Sequence, residues 1–202
     1  MSDTAHTTPS PPKPGRPRSA EAREAVLHAV DDMLVEEGYA AMTIKGIAER
    51  AGVGRQTVYR WWSTKAEILM EATTIDAAEA LRLDPADEAR DALDTRDALL
   101  GFLRQWRSFL CDAPSGIAYR ALIGEAQHDA SVRELVQNAD VIGIASRRLL
   151  DSVASDLPGL PSLDLASDQL TGPLLSHVLT RPSPPDDDFL TEHVETLLRA
   201  WA

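Results

Sequence analysis

Cysteine occurs once in the 202 residues, at Cys111. Neither an intramolecular disulfide framework nor a cysteine-built zinc site is possible, and the thiol reads as a small buried hydrophobe. Aromatic residues make up only 5% of the chain, and the 44% that are apolar are mostly Ala, Leu and Val, a mix that suits helices better than strands. Nothing approaches the ~18 unbroken apolar residues of a membrane span. The N-terminus carries Thr, Ser and Pro in place of the apolar core of a signal peptide. These absences predict a cytoplasmic protein with no membrane partner. No alternating run is long enough for a strand, and no segment repeats. Catalytic signatures are missing too: there is no phosphate-cradling glycine loop, no His-Glu-x-x-His, no Gly-x-Ser-x-Gly, and no cluster of His and carboxylates at ligand spacing. An enzyme is not expected, and no cofactor or metal is called for.

Charge is plentiful but uneven. The net charge of −12 argues, taken alone, against nucleic acid. Residues 1–70, however, hold nine basic and nine acidic residues, whereas 71–202 hold 11 and 23. Within 43–65 stand Lys45, Arg50, Arg55, Arg60 and Lys65 against the single acid Glu49. An acidic body with a locally basic tip fits a protein that presents one end to DNA and repels it elsewhere.

Residues 1–18 are proline-rich and nearly free of apolar side chains, so they read as a disordered arm ending in a basic patch, Lys13-Pro14-Gly15-Arg16-Pro17-Arg18. Arg16 and Arg18 either enter a minor groove or belong to a solvated tail. A first helix begins near Ser19, with Val26, Val30, Met33 and Leu34 on one face, and stops at Gly38. A second short helix starts at Thr43 and ends at Gly52. A third covers roughly 55–61. Thr64-Lys65-Ala66-Glu67 is a capping box that opens a fourth. The charged stretch 83–94, with Pro85, reads as a connector. Helices follow with a Leu99, Leu103, Trp106, Leu110 stripe broken at Pro114-Ser115-Gly116, then a segment over 117–127, a longer one over 129–155, and two last helices near 164–180 and 186–201, the former bent at Gly172-Pro173. The chain divides into a 1–18 arm, a region of short helices over 19–65 and a helical body over 66–202, and the pattern predicts an all-α protein.

Residues 43–65 read Thr-Ile-Lys-Gly-Ile-Ala-Glu-Arg-Ala-Gly-Val-Gly-Arg-Gln-Thr-Val-Tyr-Arg-Trp-Trp-Ser-Thr-Lys, a helix-turn-helix pattern. Ala48 is small where two helices must cross closely. Gly52 permits the left-handed turn. Val53 and Val58 are apolar where the second helix packs on the first. Its remaining positions, Arg55, Gln56, Thr57 and Arg60, are polar, as required of a helix that lies in the major groove. Arg55 has the fork that fits guanine and Gln56 the amide that fits adenine. Thr43, Tyr59 and Lys65 are placed to hydrogen-bond phosphates, and Lys45 is a further candidate for DNA binding.

The segment Gly15 to Leu69 resembles the DNA-binding domain of the TetR-like bacterial regulators. The resemblance rests on the Gly-Arg-Pro-Arg lead-in, a first helix ending Glu-Gly-Tyr, the Thr-Ile-x-x-Ile-Ala-x-x-Ala-Gly-Val helix, and the Thr-Val-Tyr-x-x-Trp-x-x-Lys-x-x-Ile-Leu run. It implies phosphate contacts from Thr43, Tyr59 and Lys65 and base contacts from Arg55, Gln56 and Thr57. Trp61 stands where the family often has His or Tyr, Trp62 where phenylalanine is commoner, and Gln56 where a small residue is frequent. The resemblance also implies about nine helices, with 19–65 as the DNA-binding domain and 66–202 as a helical ligand-binding and dimerisation domain, an Ω-shaped homodimer, double-stranded operator DNA as partner, and a small-molecule effector bound in the C-terminal domain. A ligand-responsive repressor is the leading reading; a DNA-binding architectural protein without effector control is the alternative.

Two stripes suit a partner surface: Leu170, Leu174 and Val178 on one helix, and Leu190, Val194, Leu197, Leu198 and Trp201 on the next. Phe102, Trp106, Phe109 and Tyr119 are candidates to line a pocket, with His177 to polarise a ligand, although aromatics at helical spacing also read as plain core.

Overall fold

The computed structural model describes residues 18–81 and 94–202. The arm with Arg16, and nearly all of the expected connector, lie outside the described residues, as does the side chain of Arg18. Ten α-helices and no strand are found among the described residues: α1 (Arg18–Ala41), α2 (Ile44–Arg50), α3 (Arg55–Tyr59), α4 (Lys65–Ala80), α5 (Thr95–Asp112), α6 (Pro114–Glu125), α7 (Ala130–Ala139), α8 (Val141–Val153), α9 (Leu163–Thr180) and α10 (Asp187–Trp201). No helix among them is long and apolar enough to cross a membrane.

The starts and stops follow local chemistry. Thr64 Oγ1 accepts from the Glu67 amide at 3.2 Å, and Glu67 Oε2 accepts from the Ser63 amide at 2.7 Å, closing the box at the head of α4. Gly38 leaves helical geometry at φ 75°, so α1 breaks where a stop was expected and resumes for one short turn. Asp186 Oδ1 caps α10 through the Phe189 amide at 2.9 Å.

Two expectations need correction. Residues 129–155 do not form one helix. Asp140 takes a left-handed conformation (φ 37°, ψ 38°) and separates α7 from α8, while its carboxylate pairs with Arg147 on α8. Nothing in composition marks this break, because Asp adopts that conformation less readily than Gly or Asn; it raises the count from about nine to ten. Pro114, expected to sit in a break, instead occupies the first turn of α6, where its missing N–H has no helical partner to lose.

The helices enclose two cores. The first, in the N-terminal head, unites Val26, Val30, Met33 and Leu34 of α1, Ile47 and Ala48 of α2, Val58 and Trp62 around α3, and Ala66, Ile68, Leu69 and Met70 of α4 with Ala118 and Leu122 of α6. The second, in the body, gathers Ala77 and Leu81, the apolar face of α5, and residues of α8, α9 and α10. Ion pairs bind α5 to α10 at both ends: Arg104 and Arg107 reach Asp187 at 2.7 and 2.8 Å, and Arg96 reaches Glu195 at 2.5 Å.

One carboxylate opposes the packing of α1 on α4. Burial, with Asp76 of α4 and Asp32 beside it, pushes Asp31 up to about 6 from 3.8, against a smaller opposing pull from His28. The folded chain therefore keeps a proton that the unfolded chain releases, and stability falls as pH rises from about 4 to about 6. Asp31→Asn removes the charge. At pH 7.5 it should raise the thermal midpoint by about 2–4 °C, the solvent-screened share for a half-buried group. The gain should vanish near pH 4. An equal gain at both pH values in a thermal melt would assign it to something other than this charge.

Candidate nucleic-acid interface

Helices α2 and α3 have seven and five residues, too short to persist alone. Burial holds them: Ile47, Ala48, Val58 and Trp62 are all at most 3% exposed, and a fully buried side chain of this kind contributes ~1.5–3 kcal/mol. Gly52, at φ 66°, makes the turn between them. The chain then returns through Val53, whose amide reaches Ala48 O at 3.0 Å. Thr43 Oγ1 caps α2 by accepting from the Gly46 amide at 3.1 Å.

This packing turns the apolar side of α3 inward and its polar side outward. Arg55, Gln56 and Tyr59 are exposed, Thr57 is half-buried, and Tyr59 leaves 52% of its surface open. Neither the Arg55 nor the Gln56 side chain forms a hydrogen bond or ion pair with any described residue. Arg60 lies over the half-buried Trp61 ring, 4.7 Å from its centroid. Thr43 and Lys45 are exposed at the start of α2, Lys45 within 3.7 Å of Glu49.

Two of the basic residues are tied to α1 and the turn after it. Arg50 bonds Glu36 of α1 at 2.5 Å and lies 3.9 Å from Glu37. The Arg50 guanidinium in turn holds the Glu36 carboxyl below its ordinary range. Lys65 donates to Tyr39 O at 2.8 Å and Met42 O at 3.1 Å, with its ammonium 4.1 Å from the Tyr39 ring centroid. Two of its three protons are thus committed inside the head, and partial burial lowers its pKa.

Residues 26–72 match the bacterial regulatory proteins of the tetR family, and residues 89–197 match a tetracyclin repressor-like C-terminal domain. The chain belongs to the TetR family. It is 34% identical over 123 residues to YdeS, an uncharacterised HTH-type transcriptional regulator of Bacillus subtilis, a match spanning 60% of this chain and 58% of that protein. It is 26% identical over 197 residues to the DNA-binding transcriptional repressor TetR of Mycobacteroides abscessus, spanning 88% and 93% of the two chains. The TetR family transcription regulator SCO0332 superposes with a TM-score of 0.73 at 27% identity, over 90% of this chain and 99% of that one. RolR, solved in complex with resorcinol, shares the fold at a TM-score of 0.64 and 19% identity, over 92% and 89%. As a TetR-family member the protein is a transcriptional regulator with a DNA-binding helix-turn-helix, not an enzyme.

The C-terminal body of this TetR-family chain places the other expected residues differently. Leu170, Leu174, Leu190, Val194, Leu197 and Trp201 are buried in the chain's own core, and Val178 and Leu198 are half-buried against it. Six of the eight residues expected to face a partner therefore pack within the chain, while Val178 and Leu198 stay partly open. A stripe at helical spacing marks a face that must be covered, and here α5 and α8 cover it. The outward apolar residues of α9 are Leu165 and Leu179, at 49% and 44% exposure. Trp106, Phe109 and Tyr119 do come together: Trp106 stacks on Phe109 at 5.5 Å, and Tyr119 meets it edge-on at 5.7 Å. Phe102 joins the same core. Burial, with Asp140 nearby, pushes the Tyr119 hydroxyl up to about 12. His177 instead packs its ring on Phe189 at 4.9 Å, with Nε2 3.2 Å from Ser183 O.

Sequence reasoning missed Tyr39, whose ring and carbonyl receive Lys65, and Glu71, which meets Trp62 and Arg23. No local pattern links residues 26 or 48 positions apart, so neither contact had a signal to find. Lys65→Met should lower the thermal midpoint by about 2–4 °C, because two carbonyls at the end of α1 lose their donor. It should leave the salt dependence of DNA binding unchanged. A slope smaller by about one in a salt titration would place the ammonium on a phosphate instead.

Proposed function

We propose that the protein is a ligand-responsive repressor that binds a near-palindromic operator as a homodimer. The observation that carries the reading is the outward face of α3: Arg55 and Gln56 are exposed, without partners among the described residues, on a helix whose opposite side is locked into the head. In the major groove these side chains, with Thr57, would read base edges while Thr43, Lys45, Tyr59, Arg60 and Trp61 address the backbone. The working division is a reading head over 19–65 and an effector and dimerisation body over 66–202. The repressor role follows the Mycobacteroides relative, which is itself a repressor. The effector role follows RolR, which was solved with a small phenolic ligand; the aromatic group of Phe102, Trp106, Phe109 and Tyr119 is the corresponding candidate contact here. Binding of an effector in the body would shift α4 and move two reading heads out of register.

The dimer surface is assigned to the outer side of α9. Leu165, Gly172, Ser176 and Leu179 share that side at helical spacing, and a methyl group at Gly172 would meet only open space. Two exposed leucines with small residues between them admit a second copy about a two-fold axis. Leu165→Glu combined with Leu179→Glu should give a monomer in sedimentation with helical content retained. A dimer that survives both changes would move the interface elsewhere.

The DNA reading is tested by fluorescence anisotropy with the duplex flanking the coding region, in rising salt, against a random duplex. The flanking DNA should be preferred by ~10³-fold or more. Arg55→Ala should weaken it by about 1–3 kcal/mol and relax the preference. Tyr59→Ala should weaken both duplexes alike. Equal binding to both duplexes, indifferent to Arg55, would instead favour an architectural role.

A further inference from the structure

Trp62 follows the last turn of α3, and its ring is 3% exposed. A buried indole has one polar group, the Nε1–H, and that donor needs an acceptor. It finds Glu71 Oε2 at 3.0 Å, on the second turn of α4. The other carboxylate oxygen, Oε1, faces the guanidinium of Arg23 on α1. That guanidinium also lies over the Trp62 ring, 5.7 Å from its centroid. Three elements of the head therefore meet on one carboxylate.

The same tryptophan is tied to the reading helix. Its amide donates to Val58 O at 3.0 Å, its ring meets Trp61 edge-on at 5.5 Å, and Arg60 covers Trp61 in turn. Lys65, also on α4, fastens the end of α1 rather than α3. We infer that Glu71 is a positioning residue for DNA reading: through the Trp62 indole it sets how α3 is seated on α4. Glu71 is half-buried, and its contacts are with the buried Trp62 and with Arg23 of α1 rather than with the exposed residues of α3. Base contacts depend on the pitch of the helix to within a fraction of an ångström, whereas phosphate contacts tolerate more. The indole bond therefore bears on discrimination more than on general affinity.

The inference rests on the operator reading above, and its test separates the two. The wild-type protein selects a preferred duplex from a random pool. Wild type, Trp62→Phe, Glu71→Ala, Glu71→Gln and the Trp62→Phe/Glu71→Ala pair are then titrated against that duplex and against a random one. Trp62→Phe and Glu71→Ala should each weaken the selected duplex roughly fivefold or more, about the net worth of one hydrogen bond, and leave the random duplex within about twofold. Glu71→Gln keeps an acceptor for the indole and should stay within about twofold of wild type on both. The double variant should be no worse than the worse single one, since both remove the same bond. In the free protein, the indole N–H resonance lost in Trp62→Phe should shift in Glu71→Ala and remain near its place in Glu71→Gln. General loss of folding would weaken both duplexes together. Selected-duplex binding untouched by Trp62→Phe and Glu71→Ala, or Glu71→Gln as damaging as Glu71→Ala, would overturn the positioning role and leave the operator reading standing. Failure of the wild type to prefer any duplex would overturn both.

Discussion

Helix α4 belongs to two hydrophobic cores at once, and the rest of the molecule depends on that. Its first turns place Ala66, Ile68, Leu69 and Met70 in the core of the head, and its last turns place Ala77 and Leu81 in the core of the body. Thr73, fully buried between them, faces Ser115 O of α6 at 3.5 Å. Fully burying side chains of this size contributes ~1.5–3 kcal/mol apiece, more than any exposed ion pair in the structure can. Helix α6 repeats the arrangement: Ala118 and Leu122 pack into the head, while Tyr119 packs against the core of the body. Close-packed interiors do not deform continuously. Any change in the body that moves α4 or α6 must carry the head with it or break one of the two cores.

The body is built to transmit such a change rather than absorb it. A methyl group at Gly116 would lie 1.8 Å from Phe109 O, so α5 and α6 touch backbone to backbone at their junction. The Trp106, Phe109 and Tyr119 rings stack beside this crossing. Two polar atoms there, Trp106 Nε1 and Ser115 Oγ, are buried without a hydrogen-bond partner among the described residues, a cost of ~1–3 kcal/mol each. The α5–α6 contact thus joins a backbone-to-backbone crossing to two unpartnered polar atoms, and it lies one turn from the residues of α6 that enter the head.

Much of this was legible from periodicity and caps. The Val26–Leu34 stripe, the Thr64–Glu67 box and Gly52 each specify structure within a few residues, and each appears where local chemistry puts it. What was not legible is tertiary in origin. The stripes of α9 and α10 announced faces to be buried, but a stripe carries no label for who buries it; here the chain covers its own. The bend at Asp140 depends on Arg147 across the break, not on a breaker residue. Lys65 sat in a basic run that pointed toward phosphate, yet Tyr39 and Met42, more than 20 residues earlier, hold its ammonium.

The partnered cations change what the basic tip means. Of the five basic residues over 43–65, Arg50 is paired with Glu36 and Glu37, Lys65 caps carbonyls, and Lys45 sits beside Glu49. Arg60 rests on Trp61, which leaves Arg55 as the cation of the tip with no partner among the described residues. The field at the reading face is therefore weaker than the charge count over 43–65 suggests, and the acidic body opposes it from behind. Fewer free cations at the tip mean less counterion release from the described residues, the term that supplies sequence-independent binding. Lys45 and Arg60 keep their charge for the backbone, so the difference between one duplex and another rests on fit at base edges, where the seating of α3 matters more than the number of positive charges around it.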